Sequence, residues 1–122
     1  DGYKPDGAVL EFTKGYGDKF ALETDPFMAA SGADILITDT WTSMGEEAEK
    51  EERKKIFKDY QINRQLLAAA NAGAMVQHCL PAYRGQEITE EVFEEHADEI
   101  FNEAENRLHA QKAVMVKLMK KD

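Results

Sequence analysis

A single cysteine, Cys79, stands among the 122 residues. No intramolecular disulfide can form, and the chain suits a reducing compartment such as the cytoplasm. No apolar run approaches the ~20 residues a membrane-spanning helix needs, and there is no signal-like start. Positive charge is in deficit: 15 Lys and Arg face 24 Asp and Glu, for a net charge of -9. That field argues against a nucleic-acid binder or an anionic-membrane binder. It leaves room for one phosphate held locally by an arginine and backbone amides. Neither G-x-G-x-x-G nor G-x-x-x-x-G-K-[ST] occurs. C-x-x-C and H-x-x-x-H spacings are also missing, so no metal site is expected. With no internal repeat and no low-complexity linker, the length suits one domain around one core. The chain opens on Asp1-Gly2-Tyr3-Lys4-Pro5, already loop-like, from which we expect that further chain precedes it.

What is present alternates between helix and strand signals. Asp6 and Asp25 read as helix caps, the second followed by Pro26 at the first helical position. A helix is expected through Ala8–Phe12, and a short one from Phe27 to Ser31 that ends at Gly32. Glu46–Tyr60 reads as a charged helix with favourable (i, i+4) pairs Glu46–Lys50, Glu49–Arg53 and Glu51–Lys55 on a solvated face. Asn63 caps a helix that ends near Gly73, and Thr89 caps Glu90–His96. A long final helix is expected from about Glu103 to Lys120. Strands are expected at Phe20–Glu23, at Ala33–Thr38, from about Ala74 to His78, and within Ala97–Phe101. The Ile-Leu-Ile run of the second has the buried style of parallel sheets. The fold class is therefore α/β, a three-layer parallel sheet of about four strands with helices on both faces.

Ligand sites in such sheets lie just past the carboxyl ends of the strands. Three stretches fall there. Gln77-His78-Cys79-Leu80-Pro81 ends an apolar run and places a thiol and an imidazole at a strand end. Neighbouring strand residues point to opposite faces, so His78 is a poor general base for Cys79, and a papain-like dyad is disfavoured. Asp39 ends I-L-I-T-D, where a carboxylate can hold a substrate ammonium or simply cap its loop. Trp41 is read as a packing residue, and Ser43-Met44-Gly45 can present backbone and hydroxyl groups to a ligand. Arg107 is placed near the start of the last helix, where its guanidinium suits a phosphate or carboxylate, or pairs with Glu103. His96 and His109 are expected to be surface or packing residues.

Three motifs stand in one order: T-D-T-W-T-S-M-G, H-C-L-P and E-A-E-N-R-L-H-A-Q-K-A. Together with R-K-K-I-F-K-D-Y-Q-I-N and R-G-Q-E-I-T-E-E-V they closely resemble the C-terminal, ornithine-binding domain of ornithine carbamoyltransferase, over essentially the whole chain. The resemblance implies an incomplete Rossmann-like domain spanning residues 1–122. It implies transfer of the carbamoyl group of carbamoyl phosphate to the δ-amine of L-ornithine, giving L-citrulline and phosphate without metal or organic cofactor. Asp39 would bind the α-ammonium, and Ser43 with Met44 would help hold the amino-acid head. Cys79 would sit by the δ-amine as an orienting, proton-handling group. The backbone of Cys79 and Leu80 would accept hydrogen bonds from the substrates, and Arg107 would contact carbamoyl phosphate. A homotrimer, or a multiple of trimers, is the family's usual assembly.

The same resemblance marks what is missing. The carbamoyl-phosphate domain with its S-T-R-T-R and H-P-x-Q motifs does not occur, nor does the first βα unit of the ornithine domain. We therefore expect an inactive chain when isolated, and a sheet edge or face left open for the missing N-terminal part, a companion chain or self-association. Two alternatives stand beside it: a carbamoyltransferase for another amine such as putrescine, which S-M-G fits less well, and a non-catalytic amino-acid-binding or interaction module of the same fold.

Overall fold

The computed structural model describes residues 2–42 and 47–120. Its helices are α1 (Gly7–Thr13), α2 (Pro26–Ala30), α3 (Lys50–Phe57), α4 (Arg64–Ala69), α5 (Glu90–Glu95) and α6 (Ala97–Met119). Its strands are β1 (Ile35–Thr38) and β2 (Met75–His78). Short 3-10 turns at Lys14–Lys19, Glu47–Glu49 and Lys58–Tyr60 extend α1 and flank α3. Among the described residues no helix is long and apolar enough to cross a membrane.

The caps form as the side-chain chemistry requires. Asp6 Oδ1 accepts from Ala8 N–H at 2.7 Å, Asp25 Oδ1 from Phe27 N–H at 2.8 Å, and Asn63 Oδ1 from Leu66 N–H at 2.9 Å. Each takes up one of the free N–H groups of a first helical turn. In α3, Arg53 pairs with Glu49 at 3.0 Å, as the spacing predicts. Glu51 pairs with Lys54 at 3.0 Å rather than with Lys55. Glu46–Lys50 lies outside the described residues.

The strands run parallel in one register, Ile35↔Met75 through Thr38↔His78. Leu36 and Val76 face one another on the buried side, with Ala30, Ile62, Leu66, Ile88, Val92, Phe93 and Ile100 completing the core. Ile35, Ile37 and Met75 occupy the other face and are exposed, Ile37 by 70%. The Ile-Leu-Ile run is thus buried on one side only, unlike a strand covered on both faces. Distal α6 is likewise uncovered, with Leu118 and Met119 about four-fifths exposed at 80% and 79%.

The parallel α/β arrangement holds, but the described residues form two strands rather than about four. Phe20–Glu23 is unpaired chain, and both Phe20 and Leu22 are exposed. Among the described residues no strand pairs with it to complete a ladder. Ala97–Phe101 is the first part of α6, not a strand. Ala97, Ile100 and Ala104 turn toward the core at helical spacing, and Asp98 and Glu99 sit in the first turn, where the helix dipole favours them. The final helix therefore starts six residues earlier than its composition suggests, and α4 stops at Ala69 rather than near Gly73.

Candidate functional site

Because Thr38 and His78 are register partners, Asp39 and Cys79 leave the sheet side by side. The Asp39 carboxylate, a ring nitrogen of His78 and the Cys79 sulfur all lie within 4.8 Å of one another. Asp39 Oδ1 also accepts from Thr40 N–H at 2.7 Å, so it caps its own loop while facing the thiol. Burial pushes the Cys79 thiol up from its ordinary value, and hydrogen bonding to the Asp39 carboxylate pushes it further. The charge of Glu103 acts the same way, and Arg107 opposes both. α6 thus brings Glu103 and Arg107 to the place where the strands deliver Asp39 and Cys79.

His78 is fully buried and serves the turn rather than the thiol. Its Nδ1 accepts from Leu80 N–H at 3.0 Å, and its Nε2 lies 3.1 Å from Glu87 Oε1. With Nδ1 accepting, the network assigns the proton to Nε2. The lone pair that could deprotonate Cys79 is already in use, which excludes the dyad more firmly than strand alternation does. The same engagement weighs against a cation between Asp39, His78 and Cys79, since binding through Nδ1 would break the bond to Leu80. Leu80 has φ 57°, the left-handed region that side chains rarely adopt. Its N–H bond to His78 helps hold it there.

Arg107 lies about three turns into α6 rather than near its start. It forms no salt bridge to Glu103 among the described residues, and the residue is exposed. Ser43, Met44 and Gly45 lie outside the described residues. Trp41 packs against Phe57 with ring centroids 6.2 Å apart, as expected of a packing residue. His96 is mostly buried and bonded to Glu99 at 3.0 Å, and exposed His109 pairs with Glu105 at 3.2 Å.

Two residues of this region went unnoticed in the sequence. Glu87 is fully buried beside His78, and nothing in R-G-Q-E-I distinguishes it from a solvated loop acid. Glu99 accepts from Val76 N–H at 2.8 Å with the same oxygen that meets His96. Its role was hidden by the strand-like E-I-F.

The family model described as "Aspartate/ornithine carbamoyltransferase, Asp/Orn binding domain" matches residues 1–118. An ornithine carbamoyltransferase of Nitratiruptor sp. is 53% identical over 124 residues, covering 98% of this chain and 40% of that protein. One of Methanosarcina mazei is 52% identical over 120 residues, again covering 98% of this chain and 40% of its own length. Among solved structures, the anabolic ornithine carbamoyltransferase of Campylobacter jejuni superposes with a TM-score of 0.90 at 45% identity, over 97% of this chain and 40% of that one. The chain thus spans about two-fifths of the length of the relatives it matches.

Proposed function

The chain belongs to the aspartate/ornithine carbamoyltransferase family, and from that premise we propose that residues 1–122 are the ornithine-binding part of an ornithine carbamoyltransferase. The enzyme joins the δ-nitrogen of L-ornithine to the carbonyl carbon of carbamoyl phosphate. The carbon–oxygen bond to phosphate breaks, and L-citrulline and phosphate leave. It does so in the cytoplasm, as a trimer-based oligomer, without a metal or organic cofactor.

The observation that carries the proposal is the meeting of Asp39 and Cys79 at adjacent strand ends, with Arg107 acting on the same thiol from α6. Asp39 offers a carboxylate to the α-ammonium of ornithine. Cys79 stays a neutral thiol at ordinary pH, because burial and Asp39 disfavour the thiolate. A thiol in that state orients the δ-amine and is a poor nucleophile. Arg107, exposed and without a salt bridge among the described residues, is available to the phosphate or carbonyl oxygens of carbamoyl phosphate. The backbone of Cys79 and Leu80 accepts from both substrates, while Ser43 and Met44 hold the amino-acid head. The chemistry is mainly positioning and charge stabilisation.

The carbamoyl-phosphate domain and the first βα unit of the ornithine domain are supplied by the rest of the enzyme. The exposed Ile35, Ile37 and Met75 face and the uncovered end of α6 support this, as apolar surfaces suited to packing against it. The test is a chimera in which this chain replaces its counterpart in the Campylobacter jejuni enzyme. Citrulline formation should favour L-ornithine over putrescine, and Asp39→Asn should raise the KM for ornithine at least tenfold. Equal or better use of putrescine would refute the substrate assignment.

A further inference from the structure

We propose that Glu87 is a positioning residue for the transfer reaction, setting the tautomer of His78 and through it the conformation of the Cys79–Leu80 turn. This rests on the carbamoyltransferase assignment above. Glu87 and His78 are both wholly inaccessible to solvent. A single carboxylate oxygen, Oε1, takes the His78 Nε2–H at 3.1 Å and the Tyr83 N–H at 2.5 Å. Its twin, Oε2, is buried without a hydrogen-bond partner among the described residues. Burying a carboxylate costs far more than burying an apolar side chain of the same size. The side chain is therefore poorly suited to filling space and well suited to accepting hydrogen bonds.

What it accepts determines what happens at the Cys79–Leu80 turn. With Glu87 as acceptor the imidazole must carry its proton on Nε2, which leaves Nδ1 as the acceptor for Leu80 N–H at 3.0 Å. The opposite tautomer would set an Nδ1–H against the Leu80 N–H, donor against donor. Leu80 would then lose the contact that holds it at φ 57°. The carbonyls and thiol assigned to the substrates belong to this same turn. The route is contiguous: Glu87 Oε1, His78 Nε2 and Nδ1, Leu80 N, Cys79. The Tyr83 bond ties the far end of the loop to the same oxygen.

The experiment compares Glu87→Gln, which keeps an acceptor oxygen, with Glu87→Met, which removes it. Nitrogen-15 NMR of His78 in the 122-residue chain reads the tautomer without any substrate. Wild type and Glu87→Gln should carry the proton on Nε2, and Glu87→Met should shift it toward Nδ1. Steady-state kinetics follow in the Campylobacter jejuni chimera, at temperatures well below each variant's unfolding midpoint. Glu87→Met should lower kcat/KM for ornithine by about 10- to 100-fold, as misplacement of a site by about an ångström does, and Glu87→Gln should recover most of it. A residue that matters only for stability would shift the midpoint and leave both readouts unchanged in the folded enzyme, which would overturn the proposal. So would a wild-type His78 protonated on Nδ1, whether or not Glu87→Met folds. A chimera silent even with Glu87 in place would count against the carbamoyltransferase assignment, with the tautomer measurement then deciding the link from Glu87 to His78.

Discussion

Replacing Glu99 should weaken the fold, and by less as the solution is acidified. Met75 N–H bonds to Asp34 of the neighbouring segment at 2.9 Å, so the next amide, that of Val76, points away from β1. Glu99 accepts it at 2.8 Å from the first turn of α6. Val76 is fully buried, and an amide stranded there costs about 1–3 kcal/mol. Glu99 Oε2 also meets His96 Nδ1 at 3.0 Å, and its place in the first turn adds a few tenths of a kcal/mol through the helix dipole. The Glu99 side chain is 34% exposed, so water offsets part of this. About 2 kcal/mol is expected for Glu99→Leu, out of a typical total of about 5–15 kcal/mol. Glu99→Gln keeps the acceptor and should cost about half as much. Burial pushes the Glu99 carboxyl up, but the Val76 amide and His96 pull it down by more, so it titrates below its ordinary value. A depressed folded value means the stabilisation is complete above the unfolded value of about 4.3 and is lost as pH falls through the folded value. Denaturant melts of wild type and Glu99→Leu should differ most near pH 7, and the gap should narrow by about half as pH falls through the folded value, since a protonated carboxyl still accepts the Val76 amide. Equal midpoints at pH 7, or a gap that does not narrow at low pH, would refute this account of the strand's outer edge.

Cys79→Ala, placed in the chimera, should mainly impair ornithine use, raising its KM with little change in that for carbamoyl phosphate. Unchanged ornithine kinetics would count against the assigned role. Alkylation of Cys79 should be slow at neutral pH and still climbing above the ordinary thiol value of about 8.5, because burial and then Asp39 push it up. Asp39→Asn should speed alkylation near pH 8 and Arg107→Gln should slow it. Changes of the same sign in both variants would mean that accessibility, not charge, governs the thiol.

The parts legible in the sequence are those whose chemistry is local. Asp6, Asp25, Asn63 and Thr89 cap as their side chains dictate, and the apolar runs before Asp39 and Cys79 form the paired strands. The adjacency of Asp39 and Cys79 followed from both lying at strand ends of one parallel sheet. Non-local chemistry was hidden. The E-I-F stretch reads as strand until Ile100 is seen to bury with Ala97 and Ala104 along one helix face. Phe20 and Leu22 have strand propensity but no neighbouring strand among the described residues. That His78 serves Leu80 and Glu87 depends on loop closure across nine positions, which no periodicity announces. Arg107 acts on the Cys79 thiol from α6, although its helix begins earlier than expected.

On the proposal above, this chain holds the amino-acid part of a carbamoyltransferase and needs the remainder to act. The most direct test measures citrulline from L-ornithine and carbamoyl phosphate, with the 122-residue chain and the chimera assayed side by side. Turnover by the chimera and none by the chain alone is the predicted result. Robust citrulline formation by the chain alone, or a folded chimera that forms none, would contradict it.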